Sequence, residues 1–416
     1  MRDFLPDEKE FRERAISAIR NTYAAFGYRE IETPALEELS RLTAGQGGDN
    51  EKMLFTVLRR GLDSTEPIKP ADAVDLGLRF DLTLPLARFV ASNSGALTDV
   101  TRVIQIAPVW RAERPQKGRY RQFTQCDIDV IGESGIIAEV ELIVATVTTL
   151  KNLGIADSYV RLNDREILYG MLEGCGFSSD LYDRSLIVVD KLDKIGSEAV
   201  ITELIEKVGI EDSKATQLGE LLQRFESIAD KSDFKAVSQH LPQTVSSDAI
   251  AKAVAIRDAV ISADPTIIVQ FDISLVRGMG YYTGPIFELS HPSLKSSIAG
   301  GGRYDKMIGR FANRDIPACG FSIGFERIMD LISLAPVEYQ KVVVLYDADL
   351  DAGSLVRQQK MLVERGYSVR LVRQPKRVGA MLDKLRDEGF SYYAYANAAS
   401  AEDNLELRNL STESVH

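Results

Sequence analysis

Apolar positions recur at helical spacing from residue 7 to 26 (Phe11, Ala15, Ile16, Ile19, Tyr23, Phe26), and Gly27 stops that helix before the extended run Tyr28 to Thr33. Pro34 interrupts the run. A strand that carries proline is an edge or ends there, which puts this helix and strand at a border of the fold or a subunit contact. Gly45 to Asn50 and Gly61 to Asp75 are turn-rich loops able to move over a site. Leu78 to Thr83 alternates as a strand with Asp81 and Thr83 on one face, and Pro85 opens a helix through Leu86 and Phe89. The apolar run Val103 to Trp110 and the alternating run Phe123 to Ile131 predict two strands, joined by a charged hairpin that turns at Gly118. Ala138 to Leu153 is a long apolar helix ended by Gly154, and Tyr159 to Leu162 is a short strand.

The pattern then changes. Helical periodicity dominates from about 166 to 263, with Asp180-Leu-Tyr-Asp-Arg and Ser246-Ser-Asp as caps, which predicts a helical insertion. Strand character resumes at Ile267 to Phe271 and Tyr281 to Leu289, Ile298 begins the glycine run Gly300 to Gly302, and Pro317 to Arg327 leads into a helix ending near Leu334. Ala335 to Glu338 resembles a linker. Beyond it, strands Val342 to Tyr346, Tyr367 to Val372 and Tyr392 to Ala396 alternate with helices Leu355 to Arg365 and Val378 to Glu388, a separate α/β unit over 339–416.

A chain of 416 residues with 45% hydrophobic content supports two or three domains with proper cores. The net charge of −11 excludes nonspecific wrapping of nucleic acid but permits a local basic surface. Positive charge gathers in two places: the loop Arg111 to Arg121, and the stretch Arg365, Arg370, Arg373, Lys376, Arg377, Lys384, Arg386. Cys126, Cys175 and Cys319 have no paired spacing, so no disulfide framework or zinc site is expected and a reducing compartment fits. His240, His291 and His416 stand in polar contexts, which argues against a histidine base or metal site. The opening Met1 to Pro6 leads into a charged helix instead of an apolar signal core, and no apolar run spans a membrane; the expectation is a cytoplasmic protein.

Four constellations carry chemistry. In the hairpin, five cations (Arg111, Arg114, Lys117, Arg119, Arg121) surround Glu113 and end at Phe123; arginines bind phosphate, the carboxylate accepts from an amino group, and the ring stacks on a base. A solvated basic turn is the alternative. Gly320 to Arg327 places Arg327 in an apolar helix after two glycines that permit close approach, the alternative being an arginine paired with Glu326. Leu275 to Gly284 combines Arg277 with Tyr281, Tyr282 and three glycines; its alternative is tyrosines that merely pack in a sheet. Asp81 and Thr83 join Gln125, Asp127 and Asp129, which alternate along one strand face. Buried carboxylates without cations are costly, so water or a cationic ligand belongs beside them, and a free amino group is such a ligand.

Taken together and in this order, these residues resemble the class II aminoacyl-tRNA synthetases, and within them the histidyl-tRNA synthetase family. The resemblance covers nearly the whole chain: Arg2 to Pro6, the helix and strand ending at Pro34 (motif 1), Arg111 to Asp129 (motif 2), Leu275 to Gly284, Gly300 to Asp305, and Gly320 to Arg327 (motif 3). It implies an α+β fold: a class II antiparallel sheet flanked by helices, within a catalytic domain over 1–335, and a C-terminal α/β anticodon-binding domain over 339–416. It also implies a homodimer that uses ATP with Mg2+, histidine and tRNA(His), with no membrane or DNA partner and no resident metal. Carried over, Arg111 would bind the α-phosphate, Glu113 the adenine amino group and Phe123 the base, and Arg327 would hold the γ-phosphate. Asp81, Thr83 and Gln125 would receive the α-amino end of histidine. Asp129 and Tyr282, beside Tyr281, would bracket the imidazole, and Arg277 would lie against the α-phosphate. Arg114 and Gln116 would contact an extra 5′ guanosine of the tRNA. Two features depart from the family pattern: Gly280 stands where an acidic residue is usual, and Phe80-Asp81-Leu82-Thr83 replaces the bacterial Pro-Glu-Gly-Thr. The rivals are a non-catalytic paralogue, similar to the regulatory subunit of ATP phosphoribosyltransferase, and a general tRNA-binding chaperone.

Overall fold

The computed structural model describes residues 2–43, 53–62, 72–114, 120–228, 230–276, 280–294, 296–312, 314–335, 340–397 and 405–410. The chain divides into two compact units, Met1–Leu334 and Ala335–His416.

The first unit opens with α1 (Pro6–Ala25), whose Ala15, Ile19 and Tyr23 are fully buried. It leads into the two-residue edge strand β1 (Arg29–Glu30), which runs parallel to β5 (Thr101–Trp110). β5 and β6 (Gln122–Ile131) form the long antiparallel hairpin that the two apolar runs predict. With β7 (Tyr159–Asp164), β8 (Ile268–Phe271), β9 (Pro285–Ser290), β10 (Ala299–Arg303) and β11 (Ala318–Gly324) they make an eight-stranded sheet in the order β1-β5-β6-β11-β10-β9-β7-β8. Every pairing from β5 to β7 is antiparallel; only the two edges are parallel. Helix α4 (Ile137–Asn152) packs on it and holds a buried ion pair, Arg303 Nε and Nη2 to the Glu139 carboxylate at 2.6 and 2.8 Å. A three-stranded sheet, β2 (Leu36–Glu38), β4 (Val74–Leu78) and β3 (Phe55–Leu58), precedes it.

Between β7 and β8 lies the helical segment, α5 (Arg165–Gly174) to α10 (Ser247–Ala263), around apolar residues such as Leu204, Leu222 and Ile256. The Ser246 side chain caps α10 through Ala249 N at 3.3 Å, but Asp180 caps no helix: it sits inside a 3-10 turn and accepts from Ser178. Three other expectations are corrected. Leu78 to Thr83 is not one strand: β4 stops at Leu78, because Asp81 Oδ1 accepts Leu84 N at 3.2 Å and turns the chain into α3 (Thr83–Ser92). The strand after Tyr281 begins only at Pro285. Ala318–Gly324 is a central strand, and the following helix α11 (Phe325–Ile328) has four residues instead of reaching Leu334.

The second unit is a four-stranded sheet, β13 (Ser368–Arg373), β12 (Lys341–Tyr346), β14 (Tyr392–Ala396) and β15 (Arg408–Asn409), with α12 (Ala352–Glu364) and α13 (Val378–Asp387). The three longer strands are parallel, as strand-helix alternation requires, and β15 adds an unforeseen antiparallel edge. Pro336 to Glu338 of the expected linker lie outside the described residues.

Candidate active site

The floor of the site is the β6–β11 pairing, whose register sets Gln125 opposite Gly324, Asp127 opposite Ser322 and Asp129 opposite Gly320. Side chains two apart share a face, so one amide and two carboxylates stand side by side, all buried. Gly320 makes this possible: a Cβ there would sit 1.9 Å from Asp129 Oδ1. Tyr304, just after β10, donates its hydroxyl to the same oxygen at 2.5 Å.

Asp81 arrives from the turn before α3, and Thr83 is the first residue of that helix. The Tyr281 hydroxyl lies beside the side chains of Thr83 and Tyr282. The Tyr281 ring lies 4.7 Å from that of Tyr282 and 6.1 Å, edge-on, from that of Tyr304. These tyrosines are therefore not scattered sheet residues; they stand together beside the carboxylates.

Burial pushes Asp81 up to about 6 and Asp129 up to about 7, the latter against the Tyr304 hydrogen bond. Asp127 too is raised well above an ordinary aspartate, by burial and by the Asp129 and Asp81 charges, with Ser322 and Arg111 opposing. Asp81 Oδ2, Gln125 Oε1 and Asp127 Oδ1 are buried and have no partner among the described residues. Three such acceptors in one cluster are costly unless a donor-rich cation fills the space between them.

The cationic side adjoins them. Half-buried Arg111 donates Nε to Phe80 O at 3.1 Å and lies 5.1 Å over the Phe123 ring. Glu113 and Arg114 are exposed on the hairpin, where the Glu113 carbonyl accepts from Arg121 Nε at 3.5 Å. Gln116, Lys117 and Arg119 fall outside the described residues, as do Arg277, Gly278 and Met279. Arg327, on α11, donates to Ser297 O at 2.7 Å. Its neighbour Glu326 takes a bidentate pair from Arg12 at 2.7 Å each and accepts Thr124 N at 3.3 Å, beside Phe123. Among the described residues no group of three or more His, Cys, Asp or Glu is arranged to hold a metal ion. No helix there is long and apolar enough to cross a membrane.

Sequence reasoning gave no role to Tyr304, Ser322 or Arg12. Only Arg12 left a signal: it shares the helical stripe of Ala15, Ile19 and Tyr23, so a cation on that apolar face had to be paired. In the second unit, the seven cations from Arg365 to Arg386 are all exposed, with Arg370 on Glu388 at 2.6 Å and Arg386 on Asp383 at 3.2 Å.

The family profile described as histidyl-tRNA synthetase matches residues 1–328. A histidine–tRNA ligase of Leifsonia xyli is 49% identical over 421 residues, covering 99% of this chain and 97% of that one. Among solved structures, histidyl-tRNA synthetase from Nostoc sp. superposes with a TM-score of 0.75 at 27% identity, covering 99% of this chain and 94% of the other. A protein from Bacillus halodurans described as an ATP phosphoribosyltransferase regulatory subunit/histidyl-tRNA synthetase shares the fold, with a TM-score of 0.74 at 21% identity over 96% and 97% of the two chains.

Proposed function

The chain belongs to the histidyl-tRNA synthetase family, and we propose from that premise how its residues carry out histidine–tRNA ligation in translation. Histidine and ATP form histidyl-adenylate and pyrophosphate, and histidine then passes to the 3′ end of tRNA(His) with release of AMP. The observation that carries the assignment of the pocket is its set of acceptors with no partner among the described residues, Asp81 Oδ2, Gln125 Oε1 and Asp127 Oδ1. An α-ammonium group carries three donors and one positive charge, and it satisfies such a set. Thr83 joins Asp81 and Gln125 around it. Asp129, oriented by Tyr304, accepts from an imidazole N–H, and Tyr281 and Tyr282 flank the ring.

In the first step the histidine carboxylate attacks the α-phosphorus of ATP in line with the departing pyrophosphate. Both reactants are anionic, so the chain must orient them and offset charge; no protein nucleophile is needed. Arg111 takes the α-phosphate, Phe123 stacks on adenine, Glu113 accepts from its amino group and Arg327 binds the γ-phosphate. Arg277 is assigned to the α-phosphate on resemblance alone. Magnesium would arrive with ATP and be held mostly by phosphate oxygens. Residues 1–335 act as the catalytic domain with its insertion, and 339–416 bind the anticodon through the exposed basic stretch. Arg114 and Gln116 meet the acceptor end. The protein works in the cytoplasm as a homodimer.

Histidine-dependent ATP–pyrophosphate exchange by the purified protein tests this reading. Exchange with histidine alone among the amino acids is expected. Histidine binding without exchange would instead favour a sensor, the kind of protein with which the fold is shared.

A further inference from the structure

Gln125 lies opposite Gly324, one pleat along from Asp127 and Ser322, which face each other across β6 and β11. Its Nε2 donates to Ser322 Oγ at 3.0 Å, while its Oε1 is buried with no partner among the described residues. Ser322 stands opposite Asp127 in the strand register, and its hydroxyl favours the ionised form of that carboxyl group. An amide presents an acceptor at one end and donors at the other, and a half-turn about χ3 exchanges them with almost no change of shape. Its partners alone decide which end faces the pocket.

We propose that Ser322 is a positioning residue, which fixes the Gln125 amide so that its carbonyl oxygen faces the α-ammonium group of histidine. Beside a bound ammonium group Asp127 is ionised, and a carboxylate accepts and cannot donate, so the single hydroxyl proton of Ser322 is directed to Asp127. The hydroxyl oxygen is then left as an acceptor, and it takes the Gln125 amide N–H. The oxygen of the amide is thereby turned toward the pocket. Without the hydroxyl the amide is released, and its N–H2 end presented to an ammonium is repulsive. The inference rests on the assignment of the α-amino group to Gln125, which the same experiment tests separately.

The measurement is calorimetric binding of histidine and of 3-(imidazol-4-yl)propionate, which is histidine without its amino group, to wild type, Ser322→Ala and Ser322→Thr. Ser322→Ala is expected to weaken histidine about tenfold, the scale of one hydrogen bond to a charged group, and to leave the propionate unchanged. Ser322→Thr keeps the hydroxyl and is expected to bind both as wild type does. Equal weakening of both ligands by Ser322→Ala would mean a merely structural role and overturn the proposal, as would undiminished histidine binding. Failure of threonine to restore what alanine loses would also overturn it. If wild type itself binds the two ligands equally, the ammonium assignment fails, and the role of Ser322 falls with it.

Discussion

The hydroxyl of Tyr304 donates to Asp129 Oδ1 at 2.5 Å, across an intervening strand that has glycine at the crossing point. A Cβ on Gly320 would lie 1.9 Å from that oxygen and 3.2 Å from Tyr304 Cε1. The carboxylate proposed to read the imidazole is therefore aimed by a residue two strands away and admitted by the absence of a side chain between them.

Tyr304→Phe removes the donor while keeping the ring. Histidine affinity should fall about tenfold, the cost of leaving a buried acceptor unaimed, with the fold intact by circular dichroism. Unchanged affinity would show that Tyr304 does not orient Asp129.

Gly320→Ala forces the carboxyl aside. The expected cost is about 1–3 kcal/mol of stability, typical of overpacking, with histidine binding lost more severely than ATP binding. Equal losses for both ligands would point to a general distortion of β11.

Burial holds Asp129 at about 7 and Asp81 at about 6 in the fold, both above an ordinary aspartate. Between the unfolded and folded values the folded state binds more protons, so stability contributed by these groups declines as pH rises from about 4 to about 7. Asp129→Asn cannot ionise. Its melting temperature relative to wild type, measured without ligand, should rise between pH 5 and pH 8; a constant difference would mean that Asp129 titrates normally.

Arg12→Met strands the Glu326 carboxylate in a buried site, where both partners have side chains only 5–6% exposed. Loss of about 3–5 kcal/mol in urea unfolding is expected, and Arg12→Met with Glu326→Leu should recover much of it. A double variant as unstable as the single one would mean that the pair itself, rather than the stranded charge, supplies the stability.

Arg327→Ala should raise the KM for ATP and slow exchange about a hundredfold, as removal of a charge-stabilising donor does, while leaving histidine affinity unchanged. Exchange at the wild-type rate would refute the γ-phosphate assignment.

The long hairpin strands, the helices between β7 and β8 and the C-terminal strand-helix alternation were legible because each repeats a single period over many residues. Shorter pieces were misread wherever a local bond overrode the pattern. Asp81 ends a strand-like run by capping the next turn, and Ala318–Gly324 is a strand although Pro317 to Arg327 reads as the lead into a helix. The alternation of Gln125, Asp127 and Asp129 put them on one face from sequence alone.

The amino-acid order by itself determined the periodic elements, the division of charge between an acidic body and two basic stretches, and the residue types that resemblance to a family could assign. Only tertiary structure decided their partners: that Glu326 answers Arg12, 314 residues away in sequence, and that Gln125 meets Ser322 and Asp129 meets Tyr304. Periodicity reports which side of an element a residue occupies. Partnership depends on the register between strands remote in the chain, and that register is fixed by the packing of the whole sheet.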